Sequence, residues 1–256
     1  MALPAERRQK ILEVLKLQRS VTCTELCRQF DVSLGTVRND LELLEGSGCL
    51  KRTYGGAVLL DQQEEKTVRF GEREVINAGI KDSIGIKAAE LVENSETIFI
   101  DASTTSLFLA NHLKGKKNLT VITNAERVVM ALSGEEGIRV ICTGGVLRKS
   151  NLSYVGEMAE HLVRTNFYAD KAFFSCYGIS QQFGIFDAVE SEANVKKAMF
   201  ASAKKAILLC ASAKFEKVGF PKLAEWDVLG TVVTEKMPGA NWCRLFEQKG
   251  IELVVV

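Results

Sequence analysis

The chain has 256 residues, 46% of them hydrophobic and 25% charged, a composition that excludes a disordered tail and leaves room for two cores. Its 33 Lys and Arg against 32 Asp and Glu leave a net charge of +1, so any nucleic-acid contact must come from local arrangement rather than from a basic field over the whole molecule. No apolar run approaches the ~20 residues of a membrane helix, and no leader-like segment opens the chain; the expectation is a cytoplasmic protein with no membrane partner.

Residues 5–17 predict a first helix with Ile11, Val14 and Leu15 as its buried face. Two short helical patterns follow over 21–45, joined by Asp31-Val32-Ser33. Thr22 is a good N-cap for a helix carrying Leu26 and Phe30 one turn apart, and Ser33 caps a second whose Val37, Leu41 and Leu44 form one stripe. Stepping about 100° per residue from Val37 puts Gly35, Asn39 and Glu42 on the opposite side, flanked by Thr36 and Arg38. Two capped helices joined by a tight turn form a helix-turn-helix, and this polar, partly small face suits the major groove of DNA.

Gly46 and Gly48 stop the third helix, and residues 49–58 then hold two strand-like runs around Gly55-Gly56, a pair able to take the positive φ of a tight hairpin. In such a wing Lys51 and Arg52 can reach phosphates beside the groove and Tyr54 can pack on sugar or backbone, which fixes register without reading bases. The candidate DNA contacts are thus Thr22, Ser33, Gly35, Thr36, Arg38, Asn39, Lys51, Arg52 and Tyr54. Residues 1–60 hold nine cations against seven acids. With so few phosphate contacts per module, a homo-oligomer on repeated half-sites of double-stranded operator DNA is expected, either a dimer or a tetramer.

Residues 61–80 are rich in Gln, Glu, Lys and Arg and read as a connector between a domain over 1–60 and a larger one over 81–256. Beyond the connector, apolar β-like runs alternate with helical segments, the pattern of an α/β domain with a largely parallel sheet. The candidate strands are 97–100, 119–123, 139–143, 171–175, 206–210, 229–234 and 251–256. Strand 97–100 runs into Asp101-Ala102-Ser103-Thr104-Thr105 at a helix start, where backbone N–H groups, the helix dipole and the hydroxyls of Ser103, Thr104 and Thr105 can cradle a phosphate. The bland alternative is that these hydroxyls only cap the helix. Thr123-Asn124 and Thr143-Gly144-Gly145 end the next two strands, on the edge where ligands of open α/β sheets collect. Asp101 would repel a phosphate at close range, so its expected role is to accept from sugar hydroxyls or to orient Lys214, the candidate counter-charge.

The seven cysteines have no zinc or disulfide spacing and read as reduced structural residues; Cys23 and Cys27 lie one helical turn apart with no His beside them. His112 and His161 are isolated, and Trp226 and Trp242 read as core or interface residues. No cofactor or metal is expected. An alternative is a sugar-phosphate isomerase-like enzyme fused to a DNA-binding module, for which Asp101, Asp170 and Glu190 are the available carboxylates.

Taken together, several motifs resemble the DeoR family of bacterial sugar-catabolism regulators over almost the whole chain. The first half carries Thr36-Val37-Arg38-Asn39-Asp40-Leu41, Leu44-Glu45 and Leu50-Lys51-Arg52-Thr53-Tyr54-Gly55-Gly56-Ala57. The second carries Asp101-Ala102-Ser103-Thr104-Thr105, Thr123-Asn124, Gly144-Gly145, Val155-Gly156, Asp170-Lys171-Ala172-Phe173 and Lys214-Phe215. The resemblance implies a winged helix-turn-helix joined to an α/β effector domain similar in fold to ribose-5-phosphate isomerase. It also implies a phosphorylated sugar as effector, repression of an operon, no enzymatic activity, and Asp170 and Gly144-Gly145 as further effector-site positions. Asn39 stands where the family commonly has a second Arg, Ala211 and Ala213 where it has Asp and Ser, and Ser175 where it has Gly. Asn pairs with adenine where Arg prefers guanine, and the two alanines remove hydrogen-bonding groups from one strand end.

Overall fold

The computed structural model describes residues 4–18, 20–46, 50–53, 55–59 and 69–256, and the chain divides into two compact units, Met1–Thr67 and Val68–Val256. The first unit runs α1 (Pro4–Gln18), β1 (Ser20–Thr22), α2 (Cys23–Phe30), α3 (Leu34–Gly46), β2 (Leu50–Thr53) and β3 (Gly56–Leu59). Its strands form one antiparallel sheet in the order β1-β3-β2. Ile11, Leu12, Leu15, Leu26, Val37, Leu41 and Leu44 make the core between the helices; Val14, expected on the buried face of α1, is only half-buried because Leu12 takes that place.

Two local features set the geometry of this unit. Thr22 caps α2 reciprocally: its Oγ1 accepts from Glu25 N at 3.2 Å, while the Glu25 carboxylate accepts from Thr22 N at 2.8 Å. Asp31 then takes a left-handed conformation (φ 51°) that ends α2 and turns the chain into α3. The hairpin differs from expectation. Thr53 pairs with Gly56, and neither Gly55 nor Gly56 has positive φ. Gly56 is required instead by close approach, since a Cβ there would lie 1.9 Å from Val21 O on β1. Strand β1 was not expected, because three residues are too short for a periodic signal.

The second unit runs α4 (Phe70–Val75), α5 (Ala78–Glu90), β4 (Thr97–Ile100), α6 (Thr104–Asn111), β5 (Leu119–Thr123), α7 (Glu126–Leu132), β6 (Ile138–Cys142), β7 (Val146–Arg148), β8 (Ser153–Val155), α8 (Glu157–Asn166), β9 (Ala169–Phe174), β10 (Gly178–Ser180), β11 (Gly184–Phe186), α9 (Glu190–Ala201), β12 (Ala203–Leu209), β13 (Lys222–Ala224), β14 (Leu229–Thr234), α10 (Ala240–Gln248) and β15 (Glu252–Val255). It starts inside the stretch read as connector: Phe70 is buried, and its N–H donates to Ser150 O at 3.0 Å. One aromatic side chain anchors a helix whose central residues, Glu72, Arg73 and Glu74, are charged.

The seven expected strands form one parallel sheet in the order β15-β14-β12-β9-β4-β5-β6. Ile84, Ala88, Leu109, Val128 and Leu132 pack on one face with Ile98, Ile100 and Phe173. Ala159, Val163, Val195 and Met199 pack on the other with Phe99, Ile122 and Ala172. Trp226 and Trp242 are buried beside Phe246 in a further cluster, as core residues. Sequence periodicity did not indicate the hairpin β7–β8 or the small sheet β10-β11-β13, whose strands are only three residues each.

A buried ion pair joins α1 to α3: Arg7 Nε lies 2.6 Å from Asp40 Oδ2, with Asp40 1% exposed, and Arg8 approaches the other oxygen at 3.4 Å. Arg7, which counts as basic in the sequence, is therefore committed to the interior. Asp40→Ala leaves the Arg7 charge buried without its partner and is expected to destabilise the first unit by about 3 kcal/mol, measured by denaturant unfolding; a loss within 0.5 kcal/mol would contradict this reading of the pair.

Candidate functional site

On the first unit, the helix α3 presents Ser33, Gly35, Arg38 and Asn39 to solvent, with Thr36 half-exposed, on the side opposite the buried Val37, Leu41 and Leu44. Ser33 Oγ accepts from Thr36 N at 3.2 Å and lies 2.9 Å from Thr36 Oγ1, so the helix start is fixed and its first turn projects outward. Arg52 on β2 is placed from α3: its N–H donates to Glu45 Oε1 at 2.8 Å and its guanidinium lies 3.8 Å from Glu42 Oε2. Thr22 is exposed at the start of α2. Tyr54 and the side chain of Lys51 lie outside the described residues. The exposed set has the form a groove-reading helix and its flanking wing require.

On the second unit the parallel strands bring every strand end to one edge. From β4 the chain moves outward through β5 and β6, then returns to β9 on β4's other side and continues through β12, β14 and β15. The switch point therefore lies between the ends of β4 and β9, the place where open α/β sheets leave a crevice. Asp101 and Ser175 end these two strands. Asp101 is fully buried; its oxygens accept from Ser103 N and Ser175 N, each at 3.2 Å, and lie 2.9 Å from Lys196 Nζ. Lys196, on α9, also lies 2.7 Å from Asp187 and donates to Ser175 O at 2.9 Å. Burial alone would depress the Lys196 pKa, but Asp187 and Asp101 outweigh it and hold it above the ordinary value. Burial would likewise raise the Asp101 carboxyl, yet Lys196 and the hydroxyls of Ser106 and Ser103 bring it below its usual range. Asp101 thus orients Lys196, not Lys214, and its oxygens are taken by Ser103 N, Ser175 N and Lys196 rather than left for sugar hydroxyls. Lys214 donates to Ser175 Oγ at 2.7 Å instead.

The remaining expected residues divide. Ser103 N-caps α6, accepting from Ser106 N at 3.1 Å, and Thr104 and Thr105 are buried in the first turn. Thr123 donates to Ile100 O at 2.6 Å and accepts from Ala125 N at 3.0 Å, so its hydroxyl ties β5 to β4. Asn124 lies beside it, 1% exposed. Gly144 (φ 62°) and Gly145 (φ 113°) carry the chain from β6 into the hairpin β7–β8, and a Cβ on Gly145 would meet Val155 O at 2.8 Å. Asp170 is not part of this edge. It starts β9, and its carboxylate accepts from Thr97 N at 3.0 Å and from Lys204 at 2.7 Å, at the opposite end of the sheet. Strand polarity alone removes it from the site, and with it the carboxylate most needed by the isomerase alternative.

Three cations that sequence reading did not place approach the crevice. Lys81 caps the end of α4, donating to the carbonyls of Arg73 and, at 2.6 Å, Ile76. Burial lowers its pKa to about 8, with the charges of Lys214 and Arg73 as the next causes. Arg73 donates to Asn151, and Arg148 lies 3.8 Å from the buried Glu192. Glu192 is held above its usual range by burial. Ala211 is packed into the core, and the turn it opens is held by Glu235, which accepts from Ser212 N at 2.9 Å and from Ser212 Oγ at 2.5 Å. Among the described residues no cluster of three or more His, Cys, Asp or Glu could hold a metal ion, and no helix is long and apolar enough to cross a membrane. Cys142 is exposed and so not a packing residue.

A model of the DeoR-like helix-turn-helix domain matches residues 7–63, and a model of the DeoR C terminal sensor domain matches residues 76–236. The chain belongs to the DeoR family. A similar relative, the uncharacterized HTH-type transcriptional regulator YulB of Bacillus subtilis, is 36% identical over 99% of this chain and 97% of its own. The lactose phosphotransferase system repressor of Lactococcus lactis is 32% identical over 94% of this chain and 95% of its own. Among solved structures, ribose 5-phosphate isomerase A from Methanocaldococcus jannaschii aligns over 54% of this chain and 55% of its own, with 13% identity and a TM-score of 0.41. The family assignment makes the first unit the DNA-binding part of a transcriptional regulator and the second its sensor. In this DeoR chain the departure at Ser175 has a structural consequence, because its hydroxyl is what holds the Lys214 ammonium.

The influence of the Lys214 charge on Lys81 is directly measurable. Removing the Lys214 charge by Lys214→Ala is expected to move the Lys81 pKa upward from about 8, followed by side-chain NMR across pH 7–11. An unmoved or lowered Lys81 titration would show that the two ammoniums do not share the crevice.

Proposed function

We propose that this DeoR-family regulator represses a sugar-catabolism operon and is released by a phosphorylated sugar bound at the switch-point crevice. The observation that carries the reading is that Lys81 and Lys214 put their ammoniums on carbonyl and hydroxyl oxygens, those of Arg73, Ile76 and Ser175, and that among the described residues neither forms an ion pair with a carboxylate. Two such cations near the start of a helix fit an anion, which would accept from the backbone N–H groups of Thr104 and Thr105, since those of Ser103 and Ser106 are already bonded to Asp101 and the Ser103 hydroxyl. Lys196 does not take part, being neutralised by Asp101 and Asp187. The effector-binding set is therefore Ser103, Thr104, Thr105, Lys81 and Lys214, with Thr123, Gly144 and Gly145 shaping the walls.

DNA binding uses the exposed face of α3 and the wing. Arg38 and Asn39 read base edges, Thr22, Ser33, Thr36 and Arg52 hold phosphates, Gly35 admits close approach, and Lys51 and Tyr54 extend the phosphate contact. Few cations per module make a homo-oligomer on repeated half-sites the working form. Effector anion drawing on Lys81 and Arg73 acts on α4, the first helix of the second unit. Linkage then requires that an effector weakening operator binding be itself weakened by operator, by the same factor.

Gel-shift titration with the protein's own promoter tests the reading. Arg38→Ala is expected to cost about 1–3 kcal/mol on the specific site only, whereas Lys51→Ala weakens specific and scrambled duplex alike. At least one member of a sugar-phosphate panel is expected to shift the wild-type titration. Equal losses for both variants on both duplexes would refute the division of labour, and a panel member that binds in calorimetry without any effect on the shift would refute effector control.

A further inference from the structure

Beside the anion loop lies a second polar cluster with a different chemistry. Asn124, at the end of β5, donates from Nδ2 to Tyr154 O at 3.0 Å, while its Oδ1 is buried with no hydrogen-bond partner. A buried amide oxygen without a donor is costly, so it marks a place where an incoming donor gains more than it would at a wet surface. Glu192 is the other half of the cluster. It is 4% exposed, in the first turn of α9, and its Oε1 receives Asn151 Nδ2 at 2.9 Å, Ser153 Oγ, and the Arg148 guanidinium at 3.8 Å. All three of these contacts reach the same oxygen.

The backbone puts these groups at one place. Ala125, next to Asn124, is bridged to Ser153, and Tyr154 N donates back to Asn124 O at 2.7 Å. Asn151 also donates to Ala102 O at 3.2 Å, one residue before the Ser103 cap. The cluster therefore adjoins the proposed phosphate turn, on the side away from Lys214.

We infer that Asn124 and Glu192 form the hydroxyl-recognising end of the effector site, taking the polyol part of a phosphorylated sugar while the Ser103–Ser106 turn takes its phosphate. Asn124 Oδ1 accepts from one hydroxyl and Glu192 Oε2 pairs with another; Asn151 and Ser153 fix the carboxyl, acting as positioning residues. The inference rests on the phosphate reading above, and it adds where selectivity among sugar phosphates arises. A site built to hydrogen-bond hydroxyls rejects ligands that lack them, because its buried polar groups are then left unpaired.

The test is calorimetric titration of the full chain with inorganic phosphate and with fructose 1-phosphate, fructose 6-phosphate, glucose 6-phosphate, galactose 6-phosphate and ribose 5-phosphate. Wild type is expected to prefer at least one of the sugar phosphates to inorganic phosphate. Glu192→Gln, which replaces an accepting oxygen by a donor, and Asn124→Ala are each expected to reduce that preference by about tenfold, the worth of one hydrogen bond, with inorganic phosphate affinity unchanged. Variants that melt like wild type yet keep its preference overturn the inference and leave the phosphate reading standing. A wild type that binds phosphate and every sugar phosphate equally overturns it in the same way, independently of whether either variant folds. No binding of any of these compounds overturns both.

Discussion

A lysine ammonium taken out of water between two carboxylates holds the sensor's strand ends in place. Lys196 reaches from α9 to Asp101 at the end of β4, to Asp187 beyond β11 and to the carbonyl of Ser175 at the end of β9. Desolvating such a charge costs several kcal/mol and is offset only when its partners are close and well aligned, so the three segments cannot separate without exposing an unpaired buried charge. That constraint sets the shape of the switch point. It also decides which cations remain for a ligand: Lys196 is spent on structure, whereas Lys81 and Lys214 reach only carbonyl and hydroxyl oxygens in the hydrogen bonds described.

The crevice is connected to the start of the sensor by short links. Lys81 caps α4, Arg73 of α4 donates to Asn151, and Phe70 opens the same helix with a backbone bond to Ser150. Each of these groups belongs to, or adjoins, the polar cluster around the anion turn. On the proposed reading, a ligand that changes the charge balance at Lys81 and Arg73 acts on α4, the first helix of the second unit, and a two-unit regulator needs a link of this kind if a metabolite is to change DNA affinity.

Much of this was legible in the chain itself. Seven apolar runs between helical segments gave the parallel sheet, and Thr22, Ser33 and the Val37, Leu41, Leu44 stripe gave the reading helix. The loop Asp101–Thr105 was recognisable because hydroxyl residues after a buried strand have few other uses. What escaped was charge carried on helices. Lys81, Arg73, Glu192 and Lys196 sit in charged segments, and such residues default to solvent unless tertiary packing buries them. The Glu192 and Lys196 spacing of four residues reads as an ordinary surface pair, and only the docking of α9 against the sheet edge puts both inside. Asp170 failed for the opposite reason: a carboxylate next to a strand looks equally useful at either end, and strand direction is what assigns it to the far edge. Gly56 was recognised as special but for the wrong cause, since the approach of β1 depends on a three-residue strand with no periodic signature.

The most direct measurement of the anion site is the affinity of Lys214→Ala for whichever sugar phosphate the wild type binds, determined by calorimetry alongside operator affinity without effector. If Lys214 supplies the uncompensated charge, sugar-phosphate affinity falls by at least about tenfold, as for loss of a charge-assisted hydrogen bond, while operator affinity without effector stays at the wild-type value. Unchanged sugar-phosphate affinity in the folded variant would contradict an anion site at the switch point.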